Sequence, residues 1–396
     1  MKIKNKKYDI AIIGGCGHVG LPLGFAFAKK KLHVVCIDKN EEVIKLISQK
    51  KIPFKEEGLD ILIKKQKNYK IDFSSNLKEI TNSKFIIVTL GTPIDEYLNP
   101  DLKNFKKVIS SFSRYLNNKQ ILIFRSTLAP GTTRYFLNFF RKKKLKLGIS
   151  FCPERISQGF GLSELESLPQ IISYDSKKTK IQVTKIFKKI TNKIIYGSFE
   201  EAEVSKLFCN TWRYYKFAVA NEFYKISMNN NLSFRNIRNL MIYEYPRAAD
   251  FPKSGFTAGP CLLKDTMQLA SFDKNYSRFA HSAMIINEDL PDFIVSDFKK
   301  KYSLQKKNVL ILGMAFKPNN DDKRVSLAFK LRNILEKEDL NLFCHDPYIK
   351  EYKLKNFNIL LKKIDIIFVG CPHTVYRKLK FSKKIKLVDC WNFFKK

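Results

Sequence analysis

The stretch GFTAGPCLLKD, residues 255–265, sets one cysteine, Cys261, directly after a Gly-Pro pair and three residues before Lys264 and Asp265. Gly259 and Pro260 predict a tight bend, so the thiol belongs at the lip of an element and not in the middle of a buried face. A thiolate at such a lip is a nucleophile, whereas a thiol packed in a core is only a small apolar group. Upstream, Lys206 and Asn210 stand four apart in residues 200–230, a run without internal Gly or Pro that reads as one long helix, a spine between lobes. Residues at that spacing share a helix face. They set an ammonium and an amide side by side, and on spacing alone the plainest reading is a solvated pair.

A second constellation lies near the N-terminus. Apolar YDIAII (8–13) runs into Gly15-Cys16-Gly17-His18-Val19-Gly20, then a helical pattern over 21–30, then HVVCID (33–38) ending in Asp38. Strand, glycine turn, helix, strand and acid in that order form a dinucleotide fingerprint. The glycines let backbone approach a pyrophosphate, and the helix N-terminus supplies unpaired N–H groups. Asp38 would accept from the adenosine ribose hydroxyls and repel a 2′-phosphate, so the expected cofactor is NAD, not NADP. The competing reading is a tight turn with a structural Asp.

The elements that must hold these groups follow a βα rhythm. KFIIVTLGTP (84–93), QILIFRSTLAPGTT (120–133) and LGISFCPER (147–155) each read as a buried strand entering a polar loop. Open α/β sheets bind ligands at the carboxyl ends of their strands, which places Thr92, Thr127 and Glu154 within reach of cofactor or substrate. A second strand series starts at NVLILGMAFKP (308–318) and continues through NLFCHDP, DIIFVGCP and KLVDCW. Its second strand also ends in an acid, Asp346, but its turn lacks the three glycines, so it reads as a nucleotide-type fold for a ligand other than NAD. NEDLPDFIV (287–295) reads as a connecting helix broken at Pro291. The fold class is α/β, two Rossmann-like doubly wound domains joined by a long central helix and a helical dimerisation segment. The expected boundaries are 1–199, 200–300 and 301–396.

Composition bounds the function. The 396 residues are enough for two or three domains, and 44% hydrophobic with 28% charged is a globular balance. Eight cysteines stand singly with no C-x-x-C spacing, which argues against a zinc site or a disulfide framework and for reduced thiols in the cytoplasm. The net charge of +36 is carried mostly by scattered lysines. Solvated faces explain it more simply than a nucleic-acid or membrane-surface partner. The basic start followed by an apolar run imitates a secretory signal, but Asp9 and the glycines interrupt it, and no segment has the length of a membrane span.

GGCGHVGLP, GTPID (91–95), RSTLAPGTT (125–133), CPERISQG (152–159), EVSKLFCNTW (203–212), YPR (245–247), GPCLLKD (259–265) and FKPNNDDKRVS (316–326) occur in one order along essentially the whole chain. Together they resemble the UDP-glucose/GDP-mannose dehydrogenase family. The resemblance implies an NAD-binding domain, a central helical segment that dimerises, and a C-terminal domain for the nucleotide sugar. It also implies a four-electron oxidation of a sugar C6 alcohol to a carboxylate. Two hydride transfers are needed, and an aldehyde cannot by itself give up the second. A thiolate adds to it as a thiohemiacetal, which does, and the resulting thioester is hydrolysed.

The resemblance gives Cys261 the role of nucleophile and Lys206 and Asn210 that of oxyanion stabilisers. Asp265, or a water it shares with Thr127, takes protons, and Glu154 is a second base for hydrolysis. Phe316 and Lys317 touch the nucleotide sugar, with Gly259 in the same site. Arg247 reaches a sugar or phosphate oxygen, and Arg324 faces cofactor phosphate or forms an inter-domain salt bridge. Gly15, Gly17, His18, Val19, Gly20, Asp38 and Thr92 hold NAD, and no metal is implied. The sugar stays open. AGPC departs from the GGSC of UDP-glucose enzymes, and Gln158 stands where they carry a second acid. PERISQGFGLSELESLPQII is nearer to enzymes of UDP-N-acetylhexosamines, which nevertheless often lack the Lys-Asp retained here. GDP-mannose, a two-electron hydroxyacid dehydrogenase and a polyanion-binding protein on a dinucleotide fold are the alternatives. Synthesis of a polysaccharide or surface glycan is the expected setting.

Overall fold

Alternate residues of a strand point to opposite faces. In Tyr8–Ile13 (β1) Ile10 and Ile12 join one apolar cluster while Ala11 and Ile13 join another. A strand buried on both faces belongs inside a parallel sheet covered by helices on each side. The computed structural model of the chain, which describes residues 7–92, 95, 101–273 and 278–394, has that form. The first residues of the basic N-terminal run, through residue 6, and Pro93 and Ile94 of the GTPID stretch lie outside the described residues.

The chain divides into two compact units, with the division between Phe208 and Cys209. The first contains β1, Val34–Ile37 (β2), Ile71–Ser74 (β3), Ser83–Val88 (β4), Ile121–Phe124 (β5), Gly148–Phe151 (β6), Gln170–Tyr174 (β7) and Ile194–Tyr196 (β8). Their order is β3-β2-β1-β4-β5-β6-β7-β8, so β1 and β4 sit side by side where the winding reverses. Only the β6–β7 pairing is antiparallel. Ser150 and Ser173 stitch it, with Ser150 Oγ donating to the Ser173 carbonyl at 2.5 Å. The sequence reading names neither this reversed strand nor β3 and β8, because they follow turns without a sharp glycine signature.

The second unit carries Asn308–Leu312 (β9), Asn341–His345 (β10), Ile366–Val369 (β11) and Lys386–Val388 (β12), all parallel, in the order β10-β9-β11-β12. Val309 and Ile311 face one apolar cluster and Leu310 and Leu312 the other. The predicted spine is one helix of 31 residues, Phe199–Asn229. The expected break near Pro291 falls at Asp289, between helices Arg278–Glu288 and Leu290–Lys299, with the proline in the first turn of the second. Proline is tolerated there because that turn's N–H groups have no helical partner. Among the described residues, no helix is long and apolar enough to cross a membrane.

Candidate functional site

In the first unit the turn after β1 is shaped by contact. A Cβ on Gly15 would lie 2.7 Å from the Cys36 Cα, and one on Gly20 only 2.4 Å from the Gly14 carbonyl oxygen. Gly17 differs: a Cβ there meets nothing nearer than 3.5 Å. Gly15 and Gly20 therefore close the turn against β2 and the helix Gly20–Lys29, while Gly17 leaves its outer side clear for another molecule. Val19 is the residue that leads into that helix. Asp38, just past β2, accepts the Cys16 N–H at 3.2 Å and the Asn40 N–H at 3.1 Å, which fixes its carboxylate at the end of the turn. A clear glycine face, a helix N-terminus and a strand-end carboxylate fit the pyrophosphate and ribose of NAD. The His18 ring lies against Phe54 with centroids 3.9 Å apart and the rings tilted by 41°, and the Gln158 amide sits 2.9 Å from its Nδ1.

Two buried acids organise the loops beyond β5 and β6. Glu154 Oε2 accepts from Arg125 Nε at 2.7 Å and also pairs with the guanidinium's terminal nitrogen. Its Oε1 accepts the N–H groups of Arg155 at 2.7 Å and Ile156 at 3.0 Å. Arg125 in turn donates to Gln170 at 2.7 Å. Glu203, on the long helix one turn before Lys206, accepts from Gly131 N–H at 2.6 Å and from the N–H and hydroxyl of Thr133 at 2.7 and 2.6 Å. It caps the helix Thr132–Lys142 and so holds the RSTLAPGTT loop, whose Thr127 carbonyl accepts the Thr92 hydroxyl at 2.6 Å. Burial pushes the Glu203 carboxyl upward, against the bonds from Thr133 and Gly131.

In the second unit, Cys261 precedes the helix Leu262–Phe272 and is exposed. Burial drives six other thiols away from reactivity. Cys16 and Cys152 are pushed up to about 12, Cys344 to about 11, and Cys36, Cys371 and Cys390 well above their ordinary value. Only Cys209 shares Cys261's exposure. One turn beyond Cys261, Asp265 is fully buried. Its Oδ2 accepts the Asn210 amide at 2.5 Å, and its Oδ1 pairs with Lys264 at 2.6 Å. Arg324 holds Asp322 through two nitrogens, at 3.0 and 2.6 Å. The bond with Asp322 strengthens the guanidinium's hold on its proton against burial, and the charges of Asp322 and Cys261 add to it. The ion pair of Arg324 is thus local, within DDKRVS. Gly259 has φ +104° and lies against the Phe316 ring. Lys317 follows in the loop after β9, and Arg247 is exposed on the short turn Pro246–Ala248.

Residues 8–191 match the NAD binding domain of the UDP-glucose/GDP-mannose dehydrogenase family, residues 200–289 its central domain and residues 310–396 its UDP binding domain. The chain belongs to that family. It is an NAD-dependent nucleotide-sugar dehydrogenase. It is 30% identical to the UDP-N-acetyl-D-mannosamine dehydrogenase of Methanocaldococcus jannaschii over 372 residues, 92% of this chain and 85% of that one. The structure of the UDP-D-ManNAc dehydrogenase of Pyrococcus horikoshii is similar with a TM-score of 0.86 at 25% identity, covering 94% of this chain and 91% of that chain. A UDP-glucose dehydrogenase of Pyrobaculum islandicum shares the fold, with a TM-score of 0.88 at 19% identity over 100% of this chain and 98% of that one.

For this dehydrogenase the sequence reading misses Arg125, Glu203 and His373. Arg125 stands inside a quoted motif at the end of a buried strand, where an arginine requires an acid, and that was the available signal. Glu203 opens the quoted EVSKLFCNTW and carries no local sign of its distant partner. Asp346 is legible as a strand-end acid, but not its inward turn toward His373 at 2.9 Å. Bonds from His373 and from the N–H groups of Tyr348 and Met314 outweigh burial and hold the Asp346 carboxyl below the usual range.

Proposed function

We propose that the chain oxidises the C6 hydroxyl of a UDP-N-acetylhexosamine, UDP-N-acetylmannosamine first among them, to the uronic acid, with Cys261 as the covalent nucleophile. The observation that carries the chemistry is Cys261 itself. It is an exposed thiol at the start of a helix, one turn from the Asn210–Asp265–Lys264 cluster, in a chain whose other thiols are mostly buried. The choice of sugar is supported by the similarity to two enzymes named for UDP-ManNAc. We also assign the chain to the cytoplasm as a homodimer, with a cofactor domain over 1–199, a central segment over 200–300 and a sugar domain over 301–396.

NAD, when bound, accepts a hydride in each of two steps. Gly15, Gly17, His18, Val19, Gly20, Asp38 and Thr92 bind and orient it. Asp265, or a water it holds, takes the C6 hydroxyl proton as the alcohol becomes the aldehyde, a step to which Thr127 is also assigned. The Cys261 sulfur then bonds to the aldehyde carbon, and Lys206 and Asn210 stabilise the oxygen that gains charge. Loss of the second hydride leaves a thioester at Cys261, and water cleaves the carbon–sulfur bond to return the thiol and release the acid. A carboxylate has about four acceptor sites. Those of Glu154 are taken by two Arg125 nitrogens and two N–H groups, whereas Asp265 faces only Asn210 and Lys264. This difference supports assigning Asp265 as the principal base and Glu154 as the second. Phe316, Lys317, Gly259 and Arg247 take the nucleotide sugar, and Arg324 is assigned to cofactor phosphate.

The test is NADH formed per sugar consumed, with UDP-N-acetylmannosamine, UDP-N-acetylglucosamine, UDP-glucose and GDP-mannose, for wild type and Cys261→Ser. About two NADH per sugar from a UDP-N-acetylhexosamine, with the variant releasing no free acid, is the expected result. One NADH per sugar, or a variant as fast as wild type, removes Cys261 from the chemistry. Turnover of UDP-glucose alone reassigns the sugar.

A further inference from the structure

Asp346 takes no part in the reaction, yet both of its oxygens are committed inside the second unit. Oδ2 accepts the N–H groups of Met314 at 2.8 Å and Ala315 at 3.0 Å, and lies 2.9 Å from His373 Nε2. Oδ1 accepts those of Tyr348 at 2.9 Å and Ile349 at 3.2 Å. The Asp346 and His373 side chains are wholly buried. The other ring nitrogen, His373 Nδ1, accepts the Asn319 N–H at 2.9 Å. A backbone N–H can only donate, so Nδ1 carries no proton and Nε2 donates its own to Asp346. Asn319 and Thr374 close the same junction from outside, with Asn319 Nδ2 donating to the Thr374 hydroxyl at 2.7 Å and the Thr374 N–H to Asn319 Oδ1 at 2.9 Å.

These bonds hold one loop by its two ends. Asp346 fixes its start at Met314 and Ala315, and His373 fixes its end at Asn319. Phe316 and Lys317 lie between. The Phe316 ring fills the space beside Gly259, where a Cβ would come within 2.5 Å of it, and Gly259 is two residues before Cys261. The Gly259 N–H donates to the Val325 carbonyl at 3.2 Å, which fastens the same turn from its other side.

We propose that the buried His373–Asp346 pair is a positioning pair for the nucleotide-sugar site, fixing the 313–319 loop so that Lys317 meets the substrate and Phe316 backs the turn that carries Cys261. The proposal rests on the nucleotide-sugar reading above. Neither residue touches the substrate; both act through the loop.

His373→Phe puts an apolar ring in place of the imidazole and removes both of its bonds. The full chain is assayed for KM and kcat on the sugar that wild type turns over, and for UDP and NAD affinity by calorimetry. KM and the Kd for UDP are expected to rise about tenfold, the scale of a lost buried bond, with a smaller change in kcat and none in NAD affinity. Thr374→Val, on the exposed side of the junction, is expected to shift KM and the UDP Kd the same way by about threefold. A fall in kcat with KM and UDP affinity unchanged, in either variant, means that the pair only supports the fold and overturns the proposal. If His373→Phe does not fold, Thr374→Val and Asp346→Asn decide by the same split. Failure of wild type to bind UDP sinks the nucleotide-sugar reading itself, and this proposal with it. Failure confined to the variants sinks this proposal alone.

Discussion

Asn210, in the long helix, donates its amide to the buried carboxylate of Asp265 across 2.5 Å, while Lys264 closes on that carboxylate's other oxygen at 2.6 Å. One amide thus faces the group assigned as base and belongs to the pair assigned to the oxyanion. Asn210→Ala removes a donor from both tasks. The expected loss in kcat is about 10²-fold, with NAD affinity unchanged, read from initial rates at saturating NAD. A kcat within twofold of wild type, roughly the noise of such a comparison, would take Asn210 out of the chemistry.

Gly259→Ala meets two obstacles at once. Its φ of +104° disfavours any side chain, and the new Cβ would fall 2.5 Å from the Phe316 ring. A cost of about 2 kcal/mol or more is expected in urea unfolding. Pairing the change with Phe316→Leu should recover part of that cost but not the backbone share. Full recovery would show that the backbone conformation is unstrained.

Gly17→Ala and Gly20→Ala should separate binding from folding. The Gly20 variant drives a Cβ to 2.4 Å from the Gly14 carbonyl oxygen, so unfolding stability and NAD affinity should fall together. At Gly17 the nearest atom is 3.5 Å away, so stability without cofactor should hold while NAD affinity drops about tenfold or more. Equal NAD affinity for the Gly17 variant and wild type would move the pyrophosphate elsewhere.

His345 stacks on Phe357 at 3.8 Å and shares its Nδ1 with the Tyr376 hydroxyl at 3.1 Å. Burial, opposed by the charge of Asp346, pushes its pKa from 6.5 down to about 4. Between those values the unfolded chain binds the proton and the folded chain does not. The contribution to stability is therefore complete above pH 6.5 and is lost as the pH falls toward 4. The loss should reach about 2–3 kcal/mol. Urea midpoints measured across that range should fall more steeply for wild type than for His345→Gln. Parallel slopes would assign the acid sensitivity to other groups.

The features legible in the sequence are the local ones. The turn after β1 announces itself because its glycines and Asp38 lie within one strand–helix–strand unit, and Cys261 because a Gly-Pro bend precedes it. The 31-residue helix was readable from an uninterrupted period. The pairs that hold the loops were not. Arg125 meets Glu154 across 29 positions, His373 meets Asp346 across 27, and Glu203 meets Thr133 across 70. Strand order brings such residues together, and no short-range pattern encodes it. The reversal of β7 was hidden for a related reason: alternation of apolar residues reports a strand but not its direction.

Asp38 and Asp346 occupy the same station in two sheets, the end of the strand beside the first, but they are spent differently. Asp38 is half-buried and accepts one N–H at each oxygen, whereas Asp346 is fully buried and accepts two N–H groups at each, with His373 besides. A stray dinucleotide that reached the second crevice would find no open acid from Asp346 for its ribose. The domain that matches the family's UDP binding domain thereby withholds from the cofactor the acid that the first domain presents to it.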